Sequence, residues 1–140
     1  ARAVRRHAVG GTRSLRPSDQ WRRAQMAADY FDEALRHFPK GAVISTSGAG
    51  YEIVGLGVSY GEDAIVYRIR AGNTKRIARS HVNFAFTKLI ATKSFTRADF
   101  AMLRGARASP CNFAVLGAFL ERIAGAPKIR GAGYTIAGSS

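Results

Sequence analysis

The feature that most constrains the fold is an alternation of apolar residues near the middle of the chain. Ile65, Tyr67 and Ile69 occupy every second position, which is the period of a β-strand with one buried face. The pair Gly72-Asn73 follows, and both residue types tolerate the positive φ that a short hairpin turn requires. The pattern therefore predicts an antiparallel hairpin around this turn.

The expected turn also decides which basic side chains share a face. It pairs Arg70 with Lys75 and Val66 with Arg79. Arg68, Arg70, Lys75 and Arg79 then lie on one solvent-facing surface, with no carboxylate of the hairpin on it. Like charges that face each other across a sheet destabilise it by tenths of a kcal/mol to about 1 kcal/mol. This surface therefore predicts a polyanionic partner; the alternative is a charged edge that keeps other strands away.

The charge balance of the whole chain supports the same interpretation. The chain carries 22 Lys and Arg against 9 Asp and Glu, which favours nucleic acid or another anionic surface as partner. With 46% hydrophobic residues among 140, it can build one core. Residues 1–16 are rich in arginine and lack acids, so we expect a flexible basic arm, or else a tail without a role. Residues 17–140 are expected to form a single compact α+β nucleic-acid-binding domain.

Periodicity predicts the remaining elements. An apolar stripe at spacings of three and four, from Trp21 to Phe38, indicates an N-terminal helix capped by Ser18. Strands are expected at 42–46, 51–58, 64–70 and 75–79, helices at 81–91, 96–104 and 110–124, and two short strands within 127–136. The expected fold is α+β: an N-terminal helix, a small antiparallel sheet of about four strands, three helices and a terminal β-hairpin.

Local signals predict details within these elements. Gly55 and Gly57, inside a strand, indicate a bulge or a close backbone approach. Ser80 is expected to cap the second helix. Thr96 and Asp99 have the spacing of a capping box, in which each side chain bonds the other residue's backbone.

The order of three helices followed by a basic hairpin resembles a winged helix-turn-helix, over residues 81–137. The tail Lys128-Ile-Arg-Gly-Ala-Gly-Tyr-Thr-Ile136 is similar to the wing of response-regulator output domains, where an Arg-Gly-x-Gly-Tyr run closes the sheet. In that family the second helix of the motif reads bases in the major groove. The resemblance implies that role for helix 110–124, with Ser109 and Asn112 as base contacts.

Helix 110–124 has few other groups that could read a base. Its expected outward positions are small or basic: Cys111, Ala114, Ala118 and Arg122. Positive charge lies instead on the preceding helix and turn, at Arg97, Arg104 and Arg107. We therefore favour binding by the sheet, with the helices as scaffold, over an unorthodox docking of the helices. The Ala- and Gly-rich face of helix 110–124 also predicts a homodimer contact.

A second likeness covers residues 41–136. The order Gly-x-Val-Ile-Ser-Thr, Tyr-x-Ile-Val, Tyr-Arg-Ile-Arg, Arg-Ile-x-Arg and then paired helices is similar to accessory domains of bacterial restriction-modification proteins. Both likenesses imply binding to duplex DNA, as a recognition or regulatory module of a restriction, defence or transcription system.

The chain offers little for catalysis. His7, His37 and His81 are scattered and one cysteine supports no zinc site, so we expect no metal and no cofactor. The carboxylate-lysine set of a common metal-dependent nuclease core is missing. A small DNA nuclease that uses Arg79 and Glu121 is the enzymatic alternative, but we expect binding rather than catalysis.

Taken together, these patterns predict sequence-specific or structure-specific binding to duplex DNA. The residues expected to contact it are Arg68, Arg70, Lys75, Arg76, Arg79, Arg97, Arg104, Arg107, Ser109, Asn112, Lys128 and Arg130. An RNA- or ribosome-associated protein is a further alternative, because the composition fits it equally well. The longest apolar run, Phe113 to Leu120, is too short to span a membrane, so we expect no membrane partner and a cytoplasmic location.

Overall fold

The structure is a computed structural model, and it describes residues 29–45, 50–70, 72–129 and 133–136. The expected arm, the first part of the expected N-terminal helix and Arg130 lie outside the described residues. The elements in chain order are α1 (Tyr30–His37), β1 (Val43–Ser45), β2 (Gly50–Ser59), β3 (Glu62–Ile69), β4 (Thr74–Ala78), α2 (Arg79–Thr92), β5 (Ser94–Phe95), α3 (Arg97–Phe100), α4 (Cys111–Ala124), β6 (Lys128–Ile129) and β7 (Gly133–Thr135). This is the α+β layout that the sequence predicts.

The strands β1 to β4 form one antiparallel sheet in chain order. Its inner face carries Ile53, Ile65, Tyr67 and Ile77, all at most 1% exposed, which share one core with apolar residues of α1, α2 and α4. The expected bulge in β2 is confirmed, because the pairing with β3 shifts between Ile53 and Gly55. Gly55 has a φ of 140°, which side-chain-bearing residues rarely adopt.

The register of the hairpin formed by β3 and β4 differs from the expected one. Lys75 pairs with Tyr67 rather than with Arg70. The connection is longer than the two-residue turn that was expected: Gly72 donates to the carbonyl of Ile69 at 2.7 Å, and Ile69 donates to that of Asn73 at 2.8 Å. A slip by an odd number of residues moves a side chain to the other face of the sheet. Lys75 therefore lies on the face of Tyr67, opposite to Arg68.

The turn between β2 and β3 places an aromatic ring at an unusual backbone position. Ser59 pairs with Glu62, which leaves Tyr60 and Gly61 as the two turn residues. Their φ angles are 53° and 77°, as a type I′ turn requires. Asn, Asp or Gly is the usual first residue of such a turn, because a larger side chain is strained there.

Two helices begin at different residues from those expected. Asp29 has an extended backbone, with φ −155°, and its side chain caps α1 by accepting from Phe31, so a continuous helix from Ser18 through this position is wrong. Ser80 does not cap α2, whose N-cap position is Ala78. Instead the backbone N–H and the hydroxyl of Ser80 both donate to the Glu62 carboxylate, at 2.7 and 2.8 Å. Glu62 at the start of β3 therefore accepts a hydrogen bond from the first turn of α2, as an N-cap side chain would.

The two later helices match their local signals better. The capping box of Thr96 and Asp99 is confirmed, with Asp99 N–H donating to Thr96 and Thr96 N–H donating back. However, α3 ends at Phe100, and turns rather than helix lead to Gly105, which has a φ of 78°. The last helix ends as expected at Gly125, with φ 70°.

The terminal hairpin is confirmed and belongs to a second sheet, ordered β5-β7-β6. Tyr134 of β7 packs so closely on α4 that a Cβ at Gly117 would collide with its ring. Helix α4 is largely covered by the rest of the protein. Cys111, Ala114 and Ala118 were expected to face outward, but they are half-buried and pack on the core.

No helix among the described residues is both long and apolar enough to cross a membrane.

Candidate functional site

The structure first separates the basic residues that are already neutralised from those that are not. Arg79 is neutralised: it donates to Asp29 and, at 2.8 Å, to Asp63, and it lies 3.5 Å from Asp32. Its guanidinium also stacks 4.4 Å from the centre of the Phe31 ring. The hydrogen bond to Asp63 raises the pKa of Arg79 above its usual value. The expectation that Arg79 shares an open basic surface with Arg68 is therefore wrong, since it joins α1, β3 and α2.

Arg68 also has an acidic partner. Glu52 stands directly opposite on β2, and the two side chains form an ion pair of 3.3 Å. A surface without carboxylates was expected because only residues of the hairpin were compared, and Glu52 lies on the neighbouring strand β2. Arg68, Glu52 and Arg70 line a shallow groove of about 220 Å³ together with Val43 of the edge strand.

A different set of basic residues lines a cleft of about 230 Å³. It lies where the β2–β3 turn, β4, the start of α2, the turns after α3 and the start of α4 meet. Five residues expected to contact nucleic acid line it: Lys75, Arg76, Arg104, Ser109 and Asn112. Of the ten described residues that form its walls, none is acidic. We call this feature the basic cleft.

Backbone carbonyls hold two of the cations in place. Lys75 donates to the carbonyl of Ala108 at 3.2 Å, and Arg76 donates to that of Val58 at 2.8 Å. Arg76 reaches Val58 across Gly57, where an added Cβ would come within 3.0 Å of its guanidinium. Gly57 therefore provides the close approach that its place in a strand predicted. A carbonyl orients a cation without cancelling its charge.

The third cation is held by an aromatic ring. The guanidinium of Arg104 lies 4.3 Å from the centre of the Tyr60 ring, within the range of a cation–π interaction. The ring of His81 lies 5.9 Å from that of Tyr60. Gly105 makes this arrangement possible, because a Cβ there would collide with the Tyr60 hydroxyl. Tyr60 and His81 were not expected in the site, since a turn residue and a helix-start histidine gave no signal of a shared cleft.

Asn112 has a structural role at the base of the cleft. It is 7% exposed; its side-chain oxygen accepts from Tyr67, and its amide donates to the Arg76 carbonyl at 3.1 Å. Because both ends of its side-chain amide are bonded within the protein, Asn112 is not available to contact a base. The residue instead fixes the start of α4 against β4, and so the position of Arg76. Ser109 precedes it and is half-buried at the cleft.

His81 contributes an imidazole whose pKa is lowered by its surroundings. Burial lowers its pKa, the nearby Glu62 opposes this shift, and the positive charge of Arg104 adds to it. Glu62 is itself engaged by Ser80. A neutral imidazole can donate one hydrogen bond and accept another, so His81 adds polarity to the wall without adding a fourth positive charge.

The other expected contact residues do not line the basic cleft. Arg97 stacks 4.6 Å from the centre of the Phe113 ring, and Lys128 lies exposed on β6. Arg107 is exposed in the turns before α4 and forms no ion pair with any residue in the described part of the chain. Arg130 lies outside that part.

The chemistry of the cleft is that of anion binding. Its described lining residues offer cations and neutral hydrogen-bonding groups but no carboxylate that could act as a general base or hold a metal. Within the residues that the structure describes, no group of three or more His, Cys, Asp or Glu could hold a metal ion. Compared with known proteins, the chain matches no protein-family model, no curated protein and no solved structure.

Proposed function

We propose that this protein binds nucleic acid, duplex DNA in the first place, through the face on which the basic cleft opens. Its formal net charge of +13 would draw a polyanion by long-range attraction. Positive side chains that neutralise phosphates supply most of the affinity in such complexes and do not depend on base sequence.

The observation that carries this proposal is the segregation of charge. Arg68 and Arg79 lie beside carboxylates, whereas Lys75, Arg76 and Arg104 line one cleft that has no acidic side chain among its lining residues. Placing like charges together costs free energy. An external anion would offset that cost on binding. A basic surface that served only solubility would not need its cations to line one cleft.

The enclosure of α4 refines the mode of binding. The winged-helix resemblance would have this helix read bases, but its first turn is half-buried or buried at Cys111 and Asn112. In favour of the resemblance, the terminal hairpin joins β5 in one sheet beside the helices. We therefore propose docking through phosphate contacts at the cleft, with Arg107 beside it on the exposed turn, and recognition of nucleic-acid shape rather than of base sequence.

The experiment that tests the proposal measures affinity for a short labelled duplex by fluorescence anisotropy over a series of salt concentrations. We expect log K to fall linearly with log salt, with a slope of about −0.9 for each phosphate neutralised. Single-stranded DNA and structured RNA are compared at the same salt. A flat salt plot would remove the proposal, and tighter binding of RNA would change the ligand to RNA.

A pair of charge-matched variants locates the interface. Lys75→Glu, Arg76→Glu and Arg104→Glu are combined in one protein, and Arg68→Glu, Arg70→Glu and Arg122→Glu in the other. Both triple variants change the net charge equally, so the long-range field changes alike. We expect the first to lose at least about tenfold more affinity than the second, because direct phosphate contacts are lost only there. Equal losses would mean that the cleft is not the interface.

A further inference from the structure

We infer that the basic cleft is a discrete site for one phosphate monoester group, such as a terminal phosphate of a nucleic-acid strand, the phosphate of a mononucleotide or inorganic phosphate. If the phosphate is the terminal phosphate of a nucleic-acid strand, the inference rests on the proposed function. If it belongs to a mononucleotide or is inorganic phosphate, the inference is independent of that function. It goes beyond a general basic surface because it assigns one chemical group to one cavity.

The charge of the cleft fits a dianion. A phosphate monoester carries about two negative charges near neutral pH, whereas an internal phosphodiester carries about one. Lys75, Arg76 and Arg104 are among the lining residues of the cleft, and none of those residues is acidic. A dianion would offset more of the positive charge around the cleft than a monoanion would.

The donors of the cleft are oriented and still available. Lys75 donates one ammonium hydrogen to the carbonyl of Ala108, and Arg76 donates one guanidinium hydrogen to the carbonyl of Val58. Each side chain therefore has further N–H groups that can bind a ligand. Arg104 is positioned by the ring of Tyr60 and donates no hydrogen bond to any residue that the structure describes. Donors fixed before binding lose little conformational entropy when a phosphate arrives.

The size of the cleft limits what can enter. Its volume of about 230 Å³ lies below the roughly 300–1,000 Å³ of pockets that enclose whole drug-sized ligands. A phosphate with part of its sugar fits such a space, with the rest of the ligand outside. Because the cleft is concave, it would accept a group that projects from the end of a strand more readily than one on the convex side of a continuous duplex.

Strain at Tyr60 is an independent observation that supports a ligand site. This residue keeps a φ of 53° in a turn where Gly or Asn would be relaxed. Its ring carries Arg104 on one side and approaches His81. Strained backbone of this kind is concentrated at binding sites, where the side chain is needed in one place.

The test compares two duplexes of identical sequence at low salt, one with 5′-phosphate ends and one with 5′-hydroxyl ends. We expect the phosphorylated duplex to bind on the order of tenfold more tightly. The combined variant Lys75→Gln and Arg104→Gln should bind both duplexes equally. The control Arg68→Gln, which lies outside the cleft, should keep the preference. Circular dichroism of each variant checks that it is folded.

A second measurement needs no variant. Inorganic phosphate and a nucleoside monophosphate are titrated into the native protein, and amide shifts are followed by NMR. Saturable shifts confined to His81, residues 74–76 and residues 104–109 are expected, and none at equal ionic strength of chloride. Their absence, together with equal affinity for the two duplexes, would overturn the inference.

The two proposals fail in different ways. If both duplexes bind equally, the Gln variant weakens both and phosphate gives no saturable shifts, nucleic-acid binding stands and the monoester site is overturned. If neither duplex binds but inorganic phosphate still saturates the cleft, the proposed function fails while the monoester site stands for a free phosphate compound.

Discussion

Tyr60 combines a strained backbone with a side-chain contact that positions a cation. A non-glycine residue in the left-handed region costs about 1–2 kcal/mol, and Tyr60 has a φ of 53°. About half of its surface is exposed, at 49%, so burial of the ring cannot account for its presence there. Its ring lies against Arg104, His81 and Gly105. The ring therefore acts chiefly on the geometry of the basic cleft.

The substitution Tyr60→Gly separates these two effects. It relieves the strain but removes the cation–π contact, worth about 0.5–1 kcal/mol, so we expect the free energy of unfolding to stay within about 1 kcal/mol of the native value. Affinity for phosphate should fall several-fold, because Arg104 is no longer held. Urea denaturation and a phosphate titration measure the two quantities. Tyr60→Phe keeps the ring and should keep the affinity; an unchanged affinity in Tyr60→Gly would contradict this role.

At the scale of elements, Arg79 connects α1 electrostatically to the sheet. It reaches Asp29 at the start of α1 and Asp63 at the start of β3 from the first residue of α2. The side chains of Arg79 and Asp29 are only 30% and 17% exposed. Arg68 and Glu52, in contrast, are each about half exposed, at 48% and 50%. Screening by solvent is therefore weaker around Arg79.

We expect Arg79→Ala to lower the free energy of unfolding by about 1–3 kcal/mol, because it leaves the Asp29 carboxylate, only 17% exposed, without its ionic partner. Arg68→Ala, the matched control on an exposed pair, should cost about 0–1 kcal/mol. Both values come from urea denaturation at the same pH and salt. Equal costs for the two variants would show that Arg79 is no more than another surface ion pair.

The elements also show which parts of this structure a sequence can predict. The capping box at Thr96 and the glycine end of α4 at Gly125 were predicted, because their signals lie within a few residues of the feature itself. The register of β4 was not, because the loop between Ile69 and Thr74 is longer than its Gly-Asn pair indicates. That single slip moved Lys75 to the opposite face.

The candidate site was predicted in part for a related reason. Composition identifies an excess of cations but does not say which of them have acidic partners. Arg79 meets Asp29 across fifty positions of the chain, and no local pattern encodes that contact. Tyr60 and His81 were missed because the cleft joins residues from separate elements. Caps and strands can be predicted from neighbouring residues, whereas a site formed by distant segments can be located only in the folded structure.

At the scale of the whole molecule, two electrostatic effects should act on stability together. A net charge of +13 repels itself in the folded state, and any salt screens that repulsion. A phosphate ion that binds only the folded protein adds a separate stabilisation of RT ln(1 + [L]/Kd). The first effect depends on ionic strength alone, and the second depends on the identity of the ion.

We therefore expect the melting temperature to rise with sodium chloride and to rise further with phosphate at the same ionic strength. At a phosphate concentration of about one hundred times Kd, the additional stabilisation is about 2.7 kcal/mol. In the combined variant Lys75→Gln and Arg104→Gln this difference should vanish, while the response to chloride persists because most of the net charge remains. Differential scanning calorimetry measures both slopes. If phosphate and chloride act alike on the native protein, the folded state has no specific phosphate site and its charge acts only as a diffuse field.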